Sequence, residues 1–135
     1  MTNPQVEKLV QYWNMTAKHD YIVMMSLFKL RHYSDSLFYA HIVLEKMMKA
    51  LAVKKTGKQA VYTHNLLFLA EQAKLKLDEN QGVFLDQINH FNVNARYPDI
   101  KLGIYKMCTP EFTKKYIDQV KSFFNYLCQK LTEKN

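Results

Sequence analysis

Two long stretches in the first 57 residues place apolar side chains at steps of three and four residues, the period of a helix that buries one face. Between Pro4 and Gly57 no glycine or proline interrupts this pattern. The whole chain has three glycines and three prolines in 135 residues, too little turn chemistry for a β-sandwich or a β-barrel. We therefore expect an all-α fold.

Apolar spacing and capping residues predict an up-and-down bundle of four to five helices. A short connection between the first two long helices makes them antiparallel neighbours. Thr109 followed by Pro110 is the clearest helix start, whereas Pro98 is expected to stop the fourth helix. The length is that of one domain, which we assign to residues 1–135. The predicted limits are residues 3–31, 34–57, 63–77, 78–98 and 109–131. The first residue of each range is the expected N-cap: Asn3, Ser34, Thr63, Asp78 and Thr109.

The charge balance favours an anionic partner. Lysine and arginine number 19 against 12 acidic residues, giving a net charge of +7 and a pI near 9.3. The start of the chain does not have the pattern of a secretory signal, and no apolar run approaches the roughly 20 residues of a membrane span. Cys108 and Cys128 are too few for a disulfide scaffold. These features predict a cytoplasmic protein without a membrane partner.

Asp20 lies on the apolar stripe of the first helix, between Ala17 and Met24. Burial of an uncompensated charge is costly, so this carboxylate must be paired, hydrogen-bonded or protonated. The spacing favours a structural pair with a neighbouring helix.

A run of five lysines without an acidic residue occupies residues 46–58, immediately after Glu45. Glu45 and Lys49 are one turn apart, so the simplest interpretation is an ion pair along the helix. The lysines also complement the negative end of the helix dipole. As an alternative, the run would attract a phosphate.

His64 stands at the predicted start of the third helix, after Tyr62 and Thr63. Imidazole can transfer protons near neutral pH, so His64 is a candidate for chemistry. Histidines at helix ends are more often caps or surface residues.

A polar group follows the fourth helix: Asn92, Arg96, Tyr97 and Asp99. Arg96 offers a planar fork of donors for phosphate, and Asp99 could hold that guanidinium in place. Equally, Arg96 and Tyr97 could dock the chain onto the bundle through cation–π packing.

Four features in this order resemble the HEPN domain family, named for nucleotide binding in higher eukaryotes and prokaryotes. They are Trp13 with Asp20, Leu-Glu-Lys-Met-Met-Lys-Ala at 44–50, Thr-His-Asn-Leu at 63–66 and Ala-Arg-Tyr-Pro-Asp at 95–99. The resemblance implies an all-α bundle of four or five helices that usually forms a homodimer.

Many members of this family are ribonucleases with an arginine followed four to six residues later by a histidine. Arg31 is followed directly by His32, and no histidine follows Arg96, so the resemblance implies a non-catalytic module. Other members bind nucleotides or accompany small nucleotidyltransferases in two-component systems of the toxin–antitoxin kind, and Arg-Tyr-Pro-Asp is closer to these. We expect binding of a nucleotide or RNA phosphate in a basic groove, with no catalytic residue, metal or cofactor. The implied binding residues are Lys46, Lys49, His64, Arg96 and Tyr97, supported by Asp20, Glu45, Asn92 and Asp99.

Two alternatives stay open. A divergent ribonuclease would take its imidazole from His64 or His90, placed opposite Arg96. A protein-interaction bundle would leave the charges as solvated surface.

Overall fold

The computed structural model describes residues 1–92 and 98–133. Within these residues the chain is all-α, which confirms the predicted fold class. None of the described helices combines the length and the apolar character needed to cross a bilayer. The six helices in this part of the chain are α1 (Asn3–Lys29), α2 (Tyr33–Thr56), α3 (Leu66–Gln72), α4 (Glu79–Asn89), α5 (Pro98–Met107) and α6 (Pro110–Thr132).

Helices α1 and α2 form the predicted antiparallel hairpin, with shifted ends. The N-cap of α1 is Thr2, not Asn3: its side chain accepts from the Gln5 amide, and the Gln5 side chain accepts from the Thr2 amide. This capping box satisfies two amides at once, whereas Asn3 already lies inside the first turn. The predicted cap of α2, Ser34, also lies inside its helix, because α2 begins at Tyr33 without a side-chain cap.

Helix α2 is the centre of the bundle. It packs against α1, α6 and α3, and to a smaller extent against α4 and α5. Its apolar side chains are therefore buried around most of its circumference, which explains why its sequence has little polar face. The fully buried members are Leu37, Ala40, Val43, Leu44, Met47, Met48, Ala50 and Val53.

Of the last three predicted helix starts, at Thr63, Asp78 and Thr109, the second and third are confirmed. Asp78 forms a capping box with Gln81, and the Thr109 hydroxyl caps α6 by accepting from Phe112. Helix α3 differs: its cap is Asn65 instead of Thr63, and it ends at Gln72 after seven residues.

Pro98 has the opposite role to the one predicted. Helix α4 ends at Asn89, and Pro98 is the first residue of α5. A proline in the first turn of a helix loses no hydrogen bond, because its missing N–H would have no partner in the helix. The segment expected to be a connection, residues 99–108, is therefore mostly helical.

Substitution of Gly57 and of Gly82 by alanine should change the stability of the protein in opposite directions. Gly57 ends α2 in the left-handed region at φ 69°, whereas Gly82 lies within α4, and a Cβ would meet no atom within 4 Å at either position. We expect Gly57→Ala to cost about 1 kcal/mol of unfolding free energy, and Gly82→Ala to add about 0.5–1 kcal/mol. Urea denaturation measures both, and shifts of the same sign would contradict the assignment.

Candidate functional site

A cluster of ionisable side chains lies where α2 faces α1 and the start of α3. We call Asp20, His41, Glu45, Lys46, Lys49 and His64 the polar cluster. Helix α1 supplies Asp20, α2 supplies the middle four, and His64 precedes α3.

Asp20 pairs across the hairpin, as its position on the apolar stripe predicts. Its Oδ2 lies 2.6 Å from the Nζ of Lys46, and the carboxylate is largely buried. The Lys46 side chain remains 25% exposed. This ion pair joins α1 to α2 and offsets the desolvation free energy of burying the Asp20 carboxylate in the interface.

Glu45 is the buried carboxylate that His41, Lys49 and His64 surround. Its Oε2 lies 3.2 Å from Lys49 Nζ, and its Oε1 lies 2.7 Å from His64 Nδ1. The predicted ion pair one turn along the helix is confirmed, but it is buried: the Lys49 side chain is only 8% exposed. Lys49 also lies over the Trp13 ring, 5.1 Å from its centroid. Lys49 is thus enclosed by a carboxylate and an aromatic face, both of which stabilise its charge.

The backbone at His64 is held from two sides. Its carbonyl accepts a hydrogen bond from Nε2 of His41 at 2.7 Å. One residue further, Asn65 caps α3 and its Oδ1 accepts from the side-chain amide of Asn89, whose own Oδ1 accepts from Leu66 N. Helices α2 and α4 therefore fix the peptide that carries the His64 side chain.

Sequence reasoning missed His41 and Asn89. The signal for His41 was its place four residues before Glu45, which puts both side chains on one face of α2. Asn89 gave no local signal, because its partners lie 23 and 24 positions earlier in the chain.

The orientation of the His64 ring is set by Glu45. A carboxylate only accepts, so Nδ1 of His64 carries a proton. The side chain is 57% exposed and packs edge-on against exposed Tyr62, with ring centroids 5.7 Å apart. Within residues 1–92 and 98–133, Nε2 of His64 has no hydrogen-bond partner, so it can accept a proton or, once protonated, donate to an oxyanion.

His41 is a second, fully enclosed imidazole. Because Nε2 of His41 donates to the carbonyl of His64, this nitrogen carries a proton. Nδ1 of His41 has no hydrogen-bond partner among the described residues and lies 3.9 Å from the Glu45 carboxylate. Burial lowers the pKa of His41 below its ordinary value, and the Glu45 carboxylate only partly opposes this effect. His41 is therefore neutral at physiological pH.

The remaining predicted residues do not join the polar cluster in the part of the chain that the structure describes. Arg96 and Tyr97 lie outside the described residues. Asn92 is half-buried after α4, and Asp99 is exposed in the first turn of α5. His90 bonds through Nδ1 to the Asp86 carbonyl of its own helix.

The positive and negative charges of the polar cluster balance each other. Two carboxylates face two lysines, so the cluster positions side chains without presenting a large net charge. Among the described residues, no group of three or more histidine, cysteine, aspartate or glutamate side chains is placed to hold a metal ion. Burial raises the pKa of both thiols, Cys108 and Cys128, so neither is an activated nucleophile.

The protein is thus an all-α helical bundle with a largely buried polar cluster. The chain belongs to the HEPN domain family, whose sequence model matches residues 10–131. No curated protein matches the chain. Among solved structures, the chain is similar to the protein TT1696 from Thermus thermophilus, with a TM-score of 0.75 and 17% identity over 90% of this chain and 97% of that one. At this identity the likeness concerns the fold.

Removing the Glu45 charge should destabilise the protein strongly. In Glu45→Gln the Lys49 ammonium stays buried without a counter-charge, and we expect a loss of about 3–5 kcal/mol in urea denaturation. The double variant Glu45→Gln with Lys49→Met should recover most of it, because an apolar side chain needs no counter-charge.

The exposed pair between Lys114 and Asp118 has the same spacing and provides the control. Asp118→Asn should change stability by less than about 1 kcal/mol. Equal losses at the two pairs would show that burial does not set the cost.

His41 should make the protein less stable in acid. Its folded pKa lies below the unfolded value of about 6.5, so the unfolded chain binds more protons and stability falls as the pH drops through that region. We expect His41→Gln to lose less unfolding free energy than the wild type between about pH 7.5 and about pH 5.5. His19→Gln, at an exposed histidine of α1, should behave as the wild type. Equal pH dependence in all three proteins would contradict a buried neutral His41.

Proposed function

We propose that this HEPN protein is a non-catalytic module that binds the phosphate of a nucleotide or of RNA at the polar cluster. The supporting observation is the Glu45 carboxylate, which holds His64 by one ring nitrogen and leaves the other open. A fixed, half-exposed imidazole beside a lysine-bearing helix is suited to donate a charge-assisted hydrogen bond to a phosphate oxygen.

The members of the site have different roles in this proposal. His64 and Lys46 are exposed enough to touch a ligand, at 57% and 25% of their side chains. Lys49 is enclosed and acts through Glu45, as a positioning residue. Arg96 and Tyr97 are proposed phosphate and base contacts on the basis of the family resemblance, with Asn92 and Asp99 as their supports.

The proposed assembly is a homodimer that serves as the partner of a small nucleotidyltransferase in a toxin–antitoxin-like system. Helix α1 supports the dimer with an exposed apolar stripe, since Tyr12, Met15 and Ile22 lie on one face and are each more than half exposed. A measured mass twice the 16.0 kDa of one chain is the expected result of light scattering.

A divergent ribonuclease is the second candidate, favoured by the same carboxylate–imidazole pair. Glu45 holds Nδ1–H of His64, so Nε2 presents a lone pair that could take a proton from a ribose hydroxyl. His90 has no such partner among the described residues, which leaves His64 as the imidazole of this alternative.

Thermal unfolding with nucleotides and short RNAs at low and moderate salt tests the proposal. A ligand that binds the folded state raises the melting temperature, and a phosphate contact makes that rise smaller at higher salt. We expect His64→Gln to lose most of the rise, because the amide cannot become charged. The control His19→Gln removes an exposed histidine from α1 and should keep the rise.

A gel of the RNA after incubation separates the alternatives. Intact RNA together with a salt-sensitive rise supports the binding module. RNA cut by the wild type and spared by His64→Gln would instead support the ribonuclease. No rise with any ligand would contradict the proposal and leave the interaction bundle.

A further inference from the structure

A second group of lysines lines a cleft of about 360 Å³ away from the polar cluster. The cleft lies between the end of α2, the connection from α3 to α4, and the last turns of α6. Among the described residues, its lining holds one carboxylate, that of Glu133. The lysines are Lys54 and Lys55 of α2, Lys74 and Lys76 of the connection, and Lys130 of α6.

The charges of these lysines are unequally compensated. Lys54 donates to the carbonyls of Leu131 and Glu133, and so fastens the end of α6 to α2. Lys130 lies 3.5 Å from the Glu133 carboxylate. Lys55, Lys74 and Lys76 are exposed and form no ion pair with the residues that the structure describes. The cleft therefore keeps an excess of positive charge, in contrast to the balanced polar cluster.

Four apolar or aromatic side chains lie between the lysines in the lining of the cleft. Leu51 and Ala73 are buried, and Leu75 and Tyr126 are half-buried beside them. Clefts that carry one sign of charge on walls of low polarity concentrate the electric field and attract counter-ions strongly. This cleft is accordingly a better place for a dense negative charge than the open surface.

Lys74 is held in the cleft rim by an unusual backbone conformation. It follows the C-cap of α3 at φ 56°, in the left-handed region, where Leu75 N bonds to the Ala70 carbonyl and Lys74 N to the Glu71 carbonyl. This pattern of bonds normally has glycine at the left-handed position. A lysine there costs stability relative to glycine. This conformation places Lys74 in the lining of the cleft.

We propose that this cleft binds a polyphosphate chain, either free or as part of a nucleoside triphosphate. Five lysines from three separate segments surround one recessed volume, which matches several negative charges concentrated in one group. An extended RNA backbone spreads its charges along a line and fits this shape less well. A lysine ammonium is a compact charge on a flexible side chain, whereas an arginine guanidinium is rigid and planar. Lysines can therefore adjust their positions to the phosphates of such a chain. The site uses different residues from the phosphate site proposed above, so it does not depend on it.

Calorimetric titration of the full chain with inorganic tripolyphosphate at low salt tests this proposal. We expect the wild type to bind tripolyphosphate. In Lys74→Gly the dissociation constant should be about ten times higher, because one charged contact is lost. Lys74→Gly should also raise the melting temperature, because glycine relieves the left-handed backbone. A more stable protein that binds less tightly cannot be explained by unfolding.

Arg31→Gly is the matched control. Arg31 occupies the same left-handed position after α1, at φ 65°, with the same pair of closing hydrogen bonds. It lies at the opposite end of α2, a helix of 24 residues and so roughly 35 Å long. The substitution removes the same charge and relieves the same backbone, so we expect more stability with tripolyphosphate binding unchanged.

Three results would overturn the proposal: no binding of tripolyphosphate by the wild type, an undiminished affinity in Lys74→Gly, or an equal loss in Arg31→Gly. Titration with ATP and with adenosine distinguishes the sources, since equal affinity for ATP and tripolyphosphate means that only the phosphates are bound. His64→Gln should keep tripolyphosphate binding, and this separates failure of the cleft from failure of the polar cluster. Single-stranded RNA that outcompetes tripolyphosphate at the cleft would assign the cleft to RNA instead.

Discussion

The Glu45 carboxylate is buried on the central helix of the bundle, and its charge has to be balanced where it lies. Lys49 balances it from the same helix, and His64 supplies a hydrogen bond from the chain that returns to form α3. Breaking either contact would leave a charged group in a region of low polarity, which is costly. The direction of the exposed imidazole therefore follows from one acidic side chain. The position of its backbone follows from the bonds that His41 and Asn89 make to the chain around it.

Much of the fold could be predicted from local sequence. Helices α1, α2 and α6 are long and contain no glycine or proline beyond the first turn, so local sequence predicts them. The caps at Asp78 and Thr109 involve residues three apart in the chain, so short-range signals suffice there too. The errors have local causes as well. Asn65 replaces Thr63 as the cap of α3 because either side chain can accept from a free amide, and spacing alone does not choose between them. Pro98 fits the rule for a stop and the rule for a start, and the structure follows the second.

The candidate site was less accessible to sequence reasoning. The pairing of Glu45 with Lys49 follows from helical spacing, and the need of Asp20 for a partner follows from its apolar neighbours. The burial of Lys49 against Trp13, however, depends on how two helices dock, as does the bond from His41 to the His64 carbonyl. The single run of lysines at 46–58 also divides in space: Lys46 and Lys49 face carboxylates, whereas Lys54 and Lys55 border the cleft beside α6. Proximity in sequence does not distinguish these two environments, because side chains on different turns of one helix contact different neighbouring elements.

The packing of Lys49 on Trp13 makes the cluster visible to spectroscopy. Trp13 is the chain's one tryptophan, so indole emission from this protein comes from a single place, the interface of α1 and α2. An ammonium group lies 5.1 Å from the ring centre and interacts with the π-electrons of the indole. We therefore expect a change in the ion pairs beside the ring to alter its emission. The protein thus carries its own optical reporter of the charge state at its centre, without any attached label.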